Sequence, residues 1–353
     1  MSSVALPQPR VMAGRSLALG GLTLLLLAMA VIGMASGAMH LGAGDVVGAL
    51  LRWLAGRPAQ GDDAVVLMLR LPRVLMATLV GASLACSGAT MQGLFRNPLV
   101  EPGLVGVSAG AALGAIGMIV LGSGLLASVP GIWGSFGIAG ASFAGGLLAT
   151  LLVYLCGHRR PGVATLLLAG VAINAVAMAG VGLLTCVANE HQLRDLSFWT
   201  LGSLGGSDWT RLAAVAPLML APLLLLPRHA RALNALLLGE REAALLGFDP
   251  IRLRRQLIAL VALATSAAVA MCGVIGFVGL LVPHVLRMIW GPDHRLLLPA
   301  SALAGASLLI GADAVARVVV APTELPIGII TALLGGPFFL WLLLRLRLAE
   351  VSP

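Results

Sequence analysis

Gly106-Val-Ser108-Ala-Gly110 has the Gly-x-Ser-x-Gly spacing of a nucleophile elbow, the strand-to-helix turn that exposes a serine hydroxyl for acyl transfer. The surrounding residues argue against that chemistry, because glycines recur at helical spacing (Gly106, Gly110, Gly114) where a strand would have to precede the serine. The histidines, at 40, 158, 191, 229, 284 and 294, are dispersed and form no His-Glu-x-x-His or similar pair, so no metal site is expected. Cys86, Cys156, Cys186 and Cys272 fall singly inside apolar segments, as packing residues do. All 22 basic residues are arginine. A P-loop needs a lysine to reach the nucleotide phosphates, so any ATP that drives this chain is hydrolysed on a partner, and no catalytic residue is expected here. Asp313 and Arg317, four apart on one helical face, are the ionisable residues that stand out inside an apolar run, and they are placed to pair with each other. A carboxylate near the middle of a span, which an ion-gradient-driven carrier would want, is not expected, and secondary transport is kept only as the alternative.

The elements that carry these residues follow from composition. Of 353 residues, 59% are apolar and 10% charged, far below the quarter that a water-soluble domain keeps. A mean hydropathy of +1.03 leaves most of the chain to be solvated by a lipid bilayer. Soluble enzymes and nucleic-acid-binding folds are thereby excluded, and the arginines are too scattered to form a nucleic-acid face. Apolar runs at roughly 16–38, 64–93, 102–122, 134–156, 162–187, 212–227, 256–275, 277–291, 296–320 and 326–346 predict a single all-α domain of ten transmembrane helices over residues 1–353. The first run exceeds the apolar core of a secretory signal and reads as a retained helix. With alternating spans and a cytoplasmic N-terminus, fifteen arginines fall inside and seven outside, so both termini are expected in the cytoplasm. Gly106, Gly110 and Gly114 in the third run, and Gly137, Ala141 and Gly145 in the fourth, form small-residue ridges that let helix backbones touch.

Between the sixth and seventh runs, Leu233–Leu238 and Glu240–Leu246 predict two short helices separated by Gly239, polar in the middle and apolar at the ends. Such a segment either inserts into a groove on a soluble partner or packs on its own bundle as an ordinary loop helix.

Several stretches resemble the FecCD family of ABC-transporter permeases, importers of iron siderophores, haem and vitamin B12. They include Leu69-Arg-Leu-Pro-Arg-Val-Leu, the run from Ser87 to Gly110 with its Arg-Asn-Pro-Leu-Val-Glu-Pro core, Leu238-Gly-Glu-Arg-Glu-Ala-Ala-Leu-Leu-Gly, Gly276-Phe-Val-Gly-Leu-Leu-Val-Pro-His-Val-Leu-Arg and Glu324-Leu-Pro-Ile-Gly. The resemblance covers nearly the whole chain and implies a type II importer permease of the inner membrane. It further implies a homodimer of permeases, two cytoplasmic ATP-binding subunits below and a periplasmic binding protein above. Arg70, Arg73 and Arg317 resemble the outer arginines that receive glutamates of the binding protein, and a guanidinium fork suits carboxylates. Leu238, Gly239, Glu240, Arg241, Glu242, Ala243, Leu246 and Gly247, in a segment at about 233–250, resemble the helices that couple to the ATPase. Asn97, Leu99, Val163, Ala164 and Thr165 resemble cytoplasmic gate or pathway positions, although Val163 and Ala164 are apolar where the family often has hydroxyls. Residues 192–205 look most similar to haem permeases. Haem is then cargo delivered by a haem-binding protein, with ferric siderophore or corrinoid as alternatives, and no permanently bound cofactor is expected.

Overall fold

The computed structural model describes residues 9–37, 39, 41–122, 132–158, 163–321 and 323–351, and among them every regular element is helical. In chain order these are α1 (Pro9–Ala35), α2 (Ala43–Leu54), α3 (Asp62–Leu94), α4 (Val107–Leu121), α5 (Ile132–His158), α6 (Val163–Val187) and α7 (Glu190–Leu201). They continue with α8 (Trp209–Leu225), α9 (Ala230–Leu238), α10 (Glu240–Leu245), α11 (Pro250–Cys272), α12 (Val278–Trp290), α13 (His294–Val318) and α14 (Ile327–Val351). Seven helices are long and apolar enough to span a bilayer, and the apolar α4, α12 and α14 add three shorter ones, in agreement with the ten runs. The helices α2 and α7 were not expected from the sequence.

Where helices begin, the sequence supplies acceptors for their free N–H groups. Asp208, Asp249 and Asp293 cap α8, α11 and α13 through their carboxylates, and Asn189 and Gln192 form a reciprocal box on α7. These polar caps fix the span ends outside the apolar layer. Inside α3, Pro72 lacks the N–H that a regular helix would use, and the backbone widens into π turns over Val65–Arg70, with Leu71 N–H reaching Val66 O. The Leu67 carbonyl left over accepts the indole N–H of Trp209 at 3.0 Å, which ties α8 to α3.

The core is built on close backbone approaches at small residues. A Cβ on Gly81 would lie 2.3 Å from Gly305 O, and one on Gly88 would lie 1.7 Å from Gly279 O, so α3 touches both α13 and α12. The two ridges read from sequence face each other: a Cβ at Gly114 would meet Ala141 O at 2.1 Å, and one at Gly145 would meet Gly110 O at 2.3 Å. That contact joins α4 to α5.

Two spans are short for a reason the sequence runs concealed. The third run includes Pro102–Val105, which is a single 3-10 turn, and Gly106 at φ +89 lets the chain turn before α4 begins. The seventh and eighth runs are divided by residues 273–277, with Gly273 at φ +70 and Phe277, a non-glycine residue, at φ +67. These non-helical pieces satisfy one another: Ser203 N–H donates to Cys272 O at 2.8 Å and Ile327 N–H to Gly202 O at 3.0 Å. Irregular backbone at membrane depth survives only when packed against protein in this way.

Gly114→Ala is expected to lower the detergent-solubilised melting temperature, since overpacking of this kind costs about 1–3 kcal/mol. Gly140→Ala on α5, where a Cβ meets nothing within 4 Å, should leave it unchanged. Equal melting temperatures for both variants would remove the ridge contact as a source of stability.

Candidate functional site

Polar residues gather at three places: the two ends of the bundle and one cavity between them. At the end that carries α2, Arg73 bridges two carboxylates. Its Nη2 donates to Asp313 Oδ1 at 2.8 Å, and its Nη1 and Nη2 each donate to Glu324 at 2.9 Å. Asp313 Oδ2 also forms an ion pair with Arg317 Nε at 3.0 Å, the intrahelical pair that the spacing predicted. The remaining arginine N–H groups go to backbone. Arg317 reaches Ser36 O and Gly33 O, both at 2.7 Å, and Arg70 reaches Met34 O at 2.6 Å, Ala35 O at 2.8 Å and Met39 O at 2.5 Å. These include carbonyls of the last turn of α1, which have no acceptor role left within their own helix and sit at its negative end. Arg70 and Arg317 therefore cap α1 and hold it to α3 and α13.

The structure thus brings Arg70, Arg73 and Arg317 together but turns two of them inward. Arg70 and Arg317 are each 7% exposed and Asp313 2%. Glu324, at 45%, is the most open member of the cluster. Spacing could not reveal this, because the carbonyls that occupy Arg70 come from a different span.

At the opposite end, α9 and α10 fold almost as the sequence predicted. Gly239 at φ +140 makes the break between them, and Gly247 at φ +87 turns the chain back toward α11. One face of α9 is buried through Leu233 and Leu236, and Ala243 of α10 is fully buried. Leu238, Leu245 and Leu246 stand 68%, 87% and 61% exposed, an apolar patch on the short helices between α8 and α11. Arg241 and Glu242 are exposed beside it. Glu240 pairs with Arg254 of α11, and Asn234 of α9 meets the Asp293 cap of α13, which in turn pairs with Arg15 of α1. Burial pushes the Asp293 carboxyl up, but the Asn234 amide, the Arg295 N–H and the charges of Arg15 and Arg295 outweigh it and hold the carboxyl below its ordinary value. Its contacts are therefore complete at neutral pH and are lost only as pH falls through that lowered value.

The third place is a cavity of about 430 Å³ lined by Leu84, Glu101, Asn174, Thr265 and Phe277 among others. Leu84, Asn174 and Thr265 belong to the middle turns of α3, α6 and α11, so Glu101 lies at the depth where the sequence predicted no carboxylate. That expectation is corrected. The sequence runs leave only 94–101 as a connection between the second and third spans, whereas after α3 ends the chain returns into the bundle. Gly103 O accepts from Asn174 Nδ2 at 3.1 Å, and a Cβ on Gly170 would lie 1.9 Å from Leu104 O. The N-terminal turns of α4 and α12 also border the cavity, through Ser108 and Gly279. The only sequence signal for Glu101 was its place between two prolines and a glycine, a poor setting for a continuing helix.

Of the gate positions, Asn97 and Leu99 lie on the exposed start of this returning segment, with Asn97 Oδ1 accepting Leu99 N–H at 2.9 Å. Ala164 and Thr165 open α6 and the side chain of Val163 lies outside the described residues. The returning segment meets α6 further along, at Gly170 and Asn174.

Ten apolar helices among the described residues, an apolar knob between α8 and α11 and helix breaks around a cavity define a membrane transport subunit, and its sequence has no lysine for a P-loop. The chain matches the model of the FecCD transport family over residues 24–345 and belongs to that family. It is 48% identical to the hemin transport system permease protein HmuU of Yersinia pestis over 282 residues, which cover 80% of this chain and 83% of that one. Against the vitamin B12 import system permease protein BtuC of Klebsiella pneumoniae it is 41% identical over 327 residues, 93% of each. A solved metal-chelate type ABC transporter in an inward-facing conformation superposes with a TM-score of 0.80 at 34% identity, covering 93% of this chain and 98% of that one. The protein is accordingly a membrane-embedded ABC transporter permease, a transport component and not a catalytic one, which works with an ATPase and a substrate-binding protein.

Removing one partner of a buried ionic group costs about 3–5 kcal/mol. Arg317→Ala, which strips Asp313 and the carbonyls of Gly33 and Ser36 of a partner, is expected to destabilise by that order in thermal unfolding of the solubilised protein. A loss of under about 1 kcal/mol, the range of a surface ion pair, would show that the cluster does not hold α1.

Proposed function

We propose that this permease forms a homodimer in the bacterial inner membrane, with both termini cytoplasmic, and imports haem. Two ATP-binding subunits seat on α9–α10 and a periplasmic haem-binding protein docks at the α2 end. The observation that carries the proposal is the knob itself: three leucines exposed on a short helical segment between spans, in a chain whose lysine-free sequence rules out a P-loop of its own. The arginine bias supports the orientation, since with the knob side cytoplasmic fifteen arginines fall inside and seven outside. The higher identity to a hemin permease than to a vitamin B12 permease supports the cargo.

Leu238, Gly239, Glu240, Arg241, Glu242, Ala243, Leu246 and Gly247 provide the coupling surface. The leucines enter an apolar cleft on the ATPase, the two glycines set the angle between α9, α10 and α11, and Ala243 and Glu240 fasten the knob to the bundle. At the outer end Arg70, Arg73 and Arg317 give the rim its positive field. Arg73, nearest the exposed Glu324, exchanges that carboxylate for one on the binding protein. Asn97, Leu99, Val163, Ala164 and Thr165 border the inner mouth of the pathway, and Glu101 with Asn174 offers hydrogen bonds to cargo at mid-depth. A homodimer lets two exposed apolar faces meet: on α6, Leu168, Val176 and Leu183 are each more than 70% exposed.

In proteoliposomes containing permease, ATPase and binding protein, ATP is expected to drive hemin accumulation, whereas the permease alone should neither hydrolyse ATP nor concentrate hemin. Accumulation of cyanocobalamin in place of hemin would move the cargo assignment, and uptake by the permease alone, abolished by an ionophore, would replace the mechanism with gradient-driven transport. Leu245→Glu is expected to weaken ATPase association at least tenfold, or about 1.4 kcal/mol, as a buried leucine contributes about 1.5–3 kcal/mol. Arg73→Gln should weaken docking of the binding protein and reduce its salt dependence. Unaltered association in either variant removes the corresponding surface.

A further inference from the structure

The knob is tied to the bundle by two different connections, and one of them reaches across the whole membrane. Through Glu240 and Arg254, α10 holds only the start of α11. Asn234, on the bundle-facing side of α9, makes three contacts with the two residues that open α13. Its Oδ1 accepts His294 N–H at 2.9 Å and lies 2.9 Å from His294 Nδ1, while its Nδ2 donates to Asp293 Oδ1 at 2.7 Å. The backbone N–H of His294 can only donate, so the amide of Asn234 has one orientation. With Oδ1 fixed as acceptor, His294 Nδ1 carries the imidazole proton. His294 is fully buried, and its other nitrogen faces α3, where a Cβ on Gly93 would come within 2.4 Å of it. Leu233, one residue before Asn234, fills the space next to the same glycine. The contact surface of α9 thus grips the adjoining ends of α3 and α13.

Those two helices are in backbone contact at Gly81 and Gly305, where each glycine faces the carbonyl of the other. At their far ends they carry Arg70 and Arg73, and Asp313 and Arg317, the groups that interlock around the end of α1. A pair of helices so joined at both ends and in the middle cannot shear internally without breaking buried ionic contacts.

We propose that Asn234 is a positioning residue of the transport cycle, which passes movement of α9 to the α3–α13 pair as a rigid strut between the ATPase end and the α2 end. This rests on the importer function proposed above. Displacement of the knob by the ATPase moves His294 and Asp293 directly, and the strut delivers the displacement to the outer ionic cluster. The link through Arg254 moves α11 alone. Asn234 faces the bundle, away from Leu238, Leu245 and Leu246, so it acts on transmission and not on the partner's seat.

The experiment measures hemin accumulated per ATP hydrolysed by the complete complex of permease, ATPase and binding protein in proteoliposomes. For Asn234→Ala, the ratio is expected to fall at least fivefold while ATP hydrolysis continues. A defect in folding alone lowers the amount of complex and leaves the ratio of the surviving complexes intact, so the ratio separates the two. Asn234→Asp keeps both contacts with His294 and sets a carboxylate against Asp293; its ratio should fall as well. Wild-type ratios in both variants, or parallel loss of hydrolysis and uptake in both, would overturn the proposal. No ATP-driven uptake of hemin or cyanocobalamin by the wild-type complex would overturn the importer function first, and the strut with it.

Discussion

The structure depends on one constraint: within a bilayer no water is available to satisfy a backbone group, so wherever the helices of this protein stop, another part of the chain must supply the missing partner. The last carbonyls of α1 are met by Arg70 and Arg317. The Leu67 carbonyl freed around Pro72 is met by Trp209, and the breaks at 202–203, 272–273 and 327 are met by each other. Each of these partners comes from a span distant in sequence, so the places where helicity fails are also the places where the spans are cross-linked.

The same constraint explains why small residues are concentrated on α3, α4, α5 and α13. Lipid tails are as apolar as leucine, so leucine surfaces gain little by meeting one another, and association relies on close packing. Glycine supplies it by letting carbonyl oxygens of one helix rest on the α-carbons of the next, as at Gly81 with Gly305 and Gly110 with Gly145. A chain with 45 glycines is then stiff at those contacts and adaptable at the unwound segments. The unwound segments are gathered around the Glu101 cavity, which is where a pathway has to change shape.

The ten spans, the knob and the small-residue ridges were legible in the sequence because each is local: an apolar run, a polar interruption or a four-residue spacing carries its own signal. The Asp313–Arg317 pair was legible for the same reason. The inward orientation of Arg70 was not, since its partners at 34, 35 and 39 belong to another helix, and a guanidinium beside a span end reads equally as a docking group or as a cap. Glu101 was missed because it falls in the connection 94–101 between two apolar runs, and nothing there shows that the chain folds back so that Gly103 and Leu104 meet Asn174 and Gly170. The short helices α2 and α7 escaped for different reasons: α2 is apolar but too short to cross a bilayer, and α7 is polar enough to resemble a loop. Family resemblance supplied roles for the coupling and docking positions, but it could not supply the contact between Asn234 and the start of α13, which joins residues 59 and 60 positions apart.

The knob has two faces of opposite chemistry, and that difference bears on how a reversible contact can do mechanical work. Outward, Leu238, Leu245 and Leu246 offer apolar area, whose attraction is non-directional and tolerates a partner that tilts as it closes and opens. Inward, Asn234, His294 and Asp293 are joined by short, directional bonds in a buried setting, where an unpaired group costs more than a neutral hydrogen bond contributes. A segment held loosely on one side and specifically on the other follows its specific partners when pushed. The helix α9 should therefore move with α3 and α13, and slippage should occur at the leucines. The arrangement places compliance at the subunit boundary and rigidity inside the permease, as a chain without its own energy source requires.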